Sequence, residues 1–412
     1  MKGTATVIAS LSGALLLASA EGSRLSAAER AAAPLITLAI QRDEQWVAQG
    51  RTEDGKTLRL MLDTGASLSV LGEQGPFIGA PLTAQAQARL LKDGSLDWPL
   101  ERGGIEAMTT TGVKEGQLGV APTVHIQGWT IAGGRLALRE DLSQFSPDAA
   151  APALGHSSLD GILGLDSMRG LTWRADYVTG QLTAYDQAPP AHEWQQCVFM
   201  TISISPSLPV LRLTLGESMI PVMLDTGDNG ELSIPDEGFD ALLRKGVFTE
   251  TGLGFDYGAS HEFVATQHGI LPGIHIGQQA LPRLRVDSAS SAPRLGLGAL
   301  SRLDRFELDF RHYRFCFDSA ASPRDSHASQ VGAALLSDGN AFVAKAVAPK
   351  GVLGMSGLKV DDRLVSVGEV ATGPLTQKAL YDLLEDPRTR EVTVTRGSRT
   401  LKLELKSERL SQ

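Results

Sequence analysis

The feature that most constrains this chain is an internal repeat. Leu60-Met61-Leu62-Asp63-Thr64-Gly65 recurs as Val222-Met223-Leu224-Asp225-Thr226-Gly227. Val124-His125-Ile126-Gln127-Gly128 is echoed by Ile274-His275-Ile276-Gly277, and Ile162-Leu163-Gly164 by Leu295-Gly296-Leu297-Gly298. Trp173 to Asp176 returns as Phe306 to Asp309. Chance supplies any one of these echoes but not the series in one order, so the chain carries two copies of one unit.

Each copy is built of short alternating segments cut by Gly, Pro, Asn and Asp, the pattern of short strands and tight turns. In the first copy these are Thr37 to Ile40, Thr57 to Leu62, Gly133 to Leu138 and Gly180 to Tyr185. In the second they are Val198 to Ile204, Val210 to Leu215 and Phe306 to Phe310. Helices are expected at Ala84 to Leu91 and Phe239 to Lys245. Two polar segments divide the chain, Asp186 to Glu193 with Pro189-Pro190, and Ser319 to Ala328. The expected organisation is therefore a leader over 1–20, a first lobe over 21–188, a second over 189–320, and a different domain over 329–407.

The leader follows from Lys2, an apolar run from Ala5 to Ala20, and a small-x-small site at Ala18-Ser19-Ala20. That is the pattern of a secretory signal peptide. The run is shorter than the ~20 apolar residues of a spanning helix, so export with cleavage is expected and stable membrane insertion is not. The compartment is periplasmic or fully extracellular. Cys197 and Cys316 would there meet oxidising conditions, where pairing and two buried thiols both remain open. The formal net charge of -9 argues against nucleic acid as a partner. The eight histidines show no metal-ligand spacing and no phosphate loop is present, so no cofactor is expected.

A lone Asp-Thr-Gly is common and fits a simple turn. Two copies after matching apolar strands, each followed by a Gly-terminated apolar segment, are specific. Over residues 35 to 318 the chain resembles the pepsin and retropepsin superfamily of aspartic proteases. The residues that carry this are Leu62-Asp63-Thr64-Gly65-Ala66-Ser67, Leu224-Asp225-Thr226-Gly227, Asp160-Gly161-Ile162-Leu163-Gly164-Leu165 and Leu295-Gly296-Leu297-Gly298. The resemblance is nearer to retropepsin-like bacterial proteins, with both turns in one chain. It implies a mainly β, bilobal fold with a cleft and an endopeptidase acting on peptide or protein substrates. Asp63 and Asp225 would be the catalytic pair, activating one water. Two carboxylates about 3 Å apart cannot both ionise cheaply and share one proton, behaviour for which aspartic proteases are themselves the reference case.

The flanking residues have physical reasons. Gly65 and Gly227 allow a sharp turn and close approach of amides to each carboxylate. Thr64 and Thr226 offer hydroxyls to lock the two turns together across the symmetry axis. Asp228 departs from the pattern, since Ala66 follows the first turn. Pointing inward it would modulate the pair by like-charge repulsion; pointing outward it is a turn or cap residue, and that placement is the expectation. Covering hairpins are expected at Thr109 to Gly116 and near Asp256 to Ala259.

The last segment resembles a small α+β PDZ domain. Gly332-Ala333-Ala334-Leu335 stands at the carboxylate-binding loop position, before a strand, and Gly357 to Leu364 follows. Strands are expected at Phe342 to Val347, Glu391 to Arg396 and Arg399 to Leu405, and a helix at Thr376 to Leu384. The resemblance implies binding of an extended C-terminal peptide at a sheet edge. An alternative for the whole chain is a peptide-binding protein that keeps the lobes without catalysis and works through this domain.

Overall fold

The computed structural model describes residues 33–42, 44–73, 75–83, 85, 105–109, 112–140, 142, 159–203, 208–257, 263–289, 292–320, 326, 329–338 and 340–405. The expected leader, nearly all of the Ala84 to Leu91 helix and much of the 319–328 linker lie outside these residues.

The protein is mainly β, and the repeat is exact in strand order. The first sheet runs Ile105–Thr109, Gly112–Val120, Leu136–Glu140, Val70–Gly72, Gly161–Leu163, Thr57–Leu62, Val47–Thr52, Val124–Ile126 and Trp129–Ile131. The second runs Thr251–Tyr257, Phe263–Leu271, Leu284–Ala289, Leu232–Pro235, Arg294–Gly296, Ser218–Asp225, Pro209–Leu215, Ile274–Ile276 and Gln279–Ala280, with Thr201–Ile202 paired beside Pro209–Leu215. Parallel and antiparallel contacts match as well. Gly161–Leu163 lies parallel to Thr57–Leu62, and Arg294–Gly296 lies parallel to Ser218–Asp225.

A third sheet is shared. Ile36–Ala39, Gln181–Tyr185 and Thr172–Asp176 come from the first half, and Leu303–Asp309, Arg314–Ser319 and Gln196–Phe199 from the second. The halves meet at Trp173, which pairs with Leu308. Trp46 of the first half stacks on Phe306 of the second at 5.7 Å between ring centroids, and both are fully buried. Burial of each such ring is worth about 1.5–3 kcal/mol, so one continuous core joins the halves. Cys197 and Cys316 face each other across the last two strands of this sheet and are disulfide-bonded.

The predicted helix after Ile234 forms as Asp236–Arg244, beginning three residues earlier than expected because Pro235 stands at its N-cap, where Pro tolerates the missing donor. The C-terminal unit has its own core around Leu335, Phe342, Leu380 and Val392. Its sheet orders Ala333–Ser337, Phe342–Val347, Arg363–Val367, Glu391–Arg396 and Arg399–Glu404, with Val370–Ala371 beside Arg363–Val367. The helix Gln377–Glu385 is capped by Thr376, whose hydroxyl accepts the Ala379 N–H. Ala333, Ala334 and Leu335, expected in a loop before a strand, are themselves in that strand; only Gly332 turns, at φ +61°. Among the described residues no helix is long and apolar enough to cross a membrane.

Candidate active site

The repeated strands Thr57–Leu62 and Ser218–Asp225 deliver Asp63 and Asp225 to the same place between the two sheets. Each Asp is held by its own turn. Asp63 Oδ1 accepts the Gly65 N–H at 2.7 Å and the Ala66 N–H at 3.2 Å. Asp225 Oδ1 accepts the Gly227 and Asp228 N–H groups, both at 3.1 Å. Each carboxyl group packs against the glycine of the other's turn, which brings the two side by side.

The expected threonine lock is present and reciprocal. The Thr64 hydroxyl donates to the Leu224 carbonyl at 2.8 Å and accepts the Thr226 N–H at 3.1 Å. The Thr226 hydroxyl donates to the Leu62 carbonyl at 2.9 Å and accepts the Thr64 N–H at 3.0 Å. Both threonines are fully buried, so each hydroxyl satisfies backbone groups that water cannot reach.

Glycine is required at both turns by space. A Cβ on Gly65 would stand 2.4 Å from Asp225 Cγ, and one on Gly227 would stand 2.4 Å from Asp63 Cγ. The Gly-terminated segments brace the turns from behind. The Leu165 N–H donates to the Ala66 carbonyl at 2.7 Å, and the Leu297 N–H to the Asp228 carbonyl at 2.6 Å. A Cβ on Gly164 or Gly296 would collide with those turns. The structural register aligns Leu163-Gly164 with Leu295-Gly296, so Arg294 occupies the place of Ile162.

Burial raises the pKa of Asp63, partly offset by the Gly65 and Ala66 amides. Asp225, 8% exposed, is raised well above the usual carboxylate value by burial, then by the charges of Asp63 and Asp228, with Arg294 opposing. A pair so placed holds one proton over a wide range of pH. Such a pair can take a proton from water with one carboxylate while the other donates to a carbonyl.

Asp228 corrects the outward expectation. Its Oδ1 does accept the Gly230 N–H at 2.7 Å, a turn role, but its Oδ2 lies 3.3 Å from Nε of the buried Arg294 and its charge acts on both aspartates. Sequence reasoning missed Arg294. Its only local signal is a charge next to an otherwise apolar segment, in which both Gly296 and Gly298 could match Gly164.

Both expected covering segments fall on outer hairpins of their sheets. Thr109 to Gly116 lies on the pair Ile105–Thr109 and Gly112–Val120, with residues 110 and 111 outside the described ones. Asp256 and Tyr257 end the strand Thr251–Tyr257, which pairs with Phe263–Leu271; residues 258 and 259 lie outside.

In the C-terminal unit, Tyr381 of the helix reaches the free edge of Ala333–Ser337. Its hydroxyl donates to the Ala333 carbonyl at 2.8 Å and accepts the Leu335 N–H at 3.3 Å. Burial pushes this phenol up to about 12. Among the described residues no cluster of His, Cys, Asp or Glu is arranged to hold a metal ion. No protein-family model matches this chain, and no curated protein is detectably similar to it in sequence.

Proposed function

We propose that this chain is an exported aspartic endopeptidase of the bilobal pepsin and retropepsin type, followed by a PDZ-like domain. The observation that carries the reading is the reciprocal Thr64–Thr226 lock, which holds Asp63 and Asp225 in contact with their amide ligands in place. One water held between the carboxyls would be activated by the ionised member, and the protonated member would hydrogen-bond the scissile carbonyl. No cofactor enters this chemistry. The Cys197–Cys316 disulfide supports an oxidising compartment.

The C-terminal domain recruits protein substrates or gates access in this reading. Its strand Ala333–Ser337 lies against Thr251–Tyr257 of the second hairpin. Tyr381 already satisfies two backbone groups of the edge a captured peptide would use, which disfavours the alternative of a non-catalytic protein binding peptides at that domain and, within the peptidase reading, favours gating over recruitment.

The test is incubation of the mature chain with a diverse peptide mixture from pH 3 to 8, beside Asp63→Asn and Asp225→Asn. Cleavage by wild type alone is expected. If wild type cuts nothing that the variants leave intact, the enzyme reading fails.

A further inference from the structure

One row of cross-strand neighbours differs between the two sheets at four of its five places. In the first it reads Leu118, Leu138, Val70, Ile162 and Met61, all buried and apolar. The corresponding row in the second reads His268, Asp287, Ser233, Arg294 and Met223. Three ionisable groups thus replace three aliphatic ones at one register.

Arg294 is the member nearest the site. It is 4% exposed, with Nε 3.3 Å from Asp228 Oδ2 and 3.9 Å from Asp225 Oδ2. Asp228 in turn donates its backbone N–H to Asp225 Oδ1. The first lobe offers Ala66 and Ile162 at these two places, neither of which carries a charge. Behind Arg294 stand Asp287, Arg285 with Nε 3.2 Å from Asp287 Oδ1, and His268 with Nδ1 3.7 Å from the same oxygen. Glu231 Oε2 accepts the backbone N–H of Arg285. The charges of Asp228 and Arg294 act on Asp225, and that of Asp228 acts on Asp63 as well.

We propose that Arg294 is a positioning residue for the Asp63–Asp225 pair, fixing through Asp228 the amide that Asp225 accepts and balancing the charge of Asp228 beside the shared proton. The inference rests on the peptidase reading above. Asp228 alone would tighten the pair's hold on its proton, and Arg294 alone would loosen it; Coulomb's law gives the two opposite signs.

The experiment compares wild type with Arg294→Met, Arg294→Lys, Asp228→Ala and the double variant Asp228→Ala/Arg294→Ile, which carries the first-lobe pair. The readout is kcat/KM against pH on peptides. The alkaline limb moves up by about one pH unit or more in Arg294→Met and down in Asp228→Ala. It stays near wild type in Arg294→Lys and returns toward wild type in the double variant. A second readout needs no activity: carboxyl-carbon NMR titration of Asp63 and Asp225 in the folded proteins should show the same signs. Opposite shifts by NMR without any peptide cleavage would leave the charge balance standing and remove only the peptidase reading. Superimposable titrations, or shifts of one sign in both single variants, overturn the proposal. If Arg294→Met does not fold, Asp228→Ala and the double variant decide, and a double variant displaced as far as Asp228→Ala overturns it.

Discussion

Thr64 and Thr226 each donate to the carbonyl that precedes the other's aspartate, so neither turn is complete without its partner. Thr64→Val removes the hydroxyl while keeping the shape. It strands the Leu224 carbonyl and the Thr226 N–H in a buried site, at about 1–3 kcal/mol for each group. Thr64→Ser retains both bonds. Chemical denaturation should show a lower midpoint for Thr64→Val and a value near wild type for Thr64→Ser, with peptide cleavage following the same order.

Gly65→Ala places a methyl carbon 2.4 Å from Asp225 Cγ, which forces that carboxyl group aside. A displacement of about 1 Å in a catalytic group lowers rate roughly a hundredfold. The expected outcome is a folded protein with kcat down by at least about that factor. Wild-type kcat in this variant would show that the contact between carboxyls is not needed.

Asp225→Asn separates stability from activity through pH. The native pKa of Asp225 is raised by burial and by its neighbours' charges, so its proton is held more tightly in the folded state than in the unfolded one. Its contribution to stability is therefore present below the unfolded value of 3.8 and lost as pH rises through the native value. Asparagine keeps an acceptor for the Gly227 and Asp228 amides and carries no charge. The variant should melt above wild type at pH 7, and the gap should close in acid. Equal melting curves at both pH values would contradict the raised native pKa.

The Cys197–Cys316 bond closes a sequence separation of 119 residues. The chain-entropy model assigns about 4–5 kcal/mol to a loop of that size. Cys197→Ser/Cys316→Ser should unfold at a lower denaturant concentration by a corresponding amount, with the slope of the transition rising as the unfolded state loosens.

Tyr381→Ala clears the edge of Ala333–Ser337. The C-terminal unit should lose stability, and calorimetry should find a peptide with a free terminal carboxylate binding about tenfold or more tighter than to wild type. Unchanged binding would show that Tyr381 does not close that edge.

Much of this was legible because the decisive elements are local. An apolar strand ending in Asp-Thr-Gly states its own geometry, and repetition states that there are two. Their lock follows from residue type once symmetry is accepted. The C-terminal strands Phe342–Val347 and Glu391–Arg396 were read to the residue for the same reason. Arg294, Asp287 and His268 were not legible, because they sit on three strands and become neighbours only through sheet register. Tyr381 was hidden likewise: its partners lie 46 and 48 residues away.

The six-stranded sheet shared by the two halves has a consequence for what the site can become. In an assembly of two identical chains every substitution is made twice, so a cation beside one aspartate appears beside both. Here the halves are welded through Thr172–Asp176 and Leu303–Asp309 within one polypeptide. Each carboxylate can then be given its own surroundings, and the two members of a chemically identical pair are free to take different jobs.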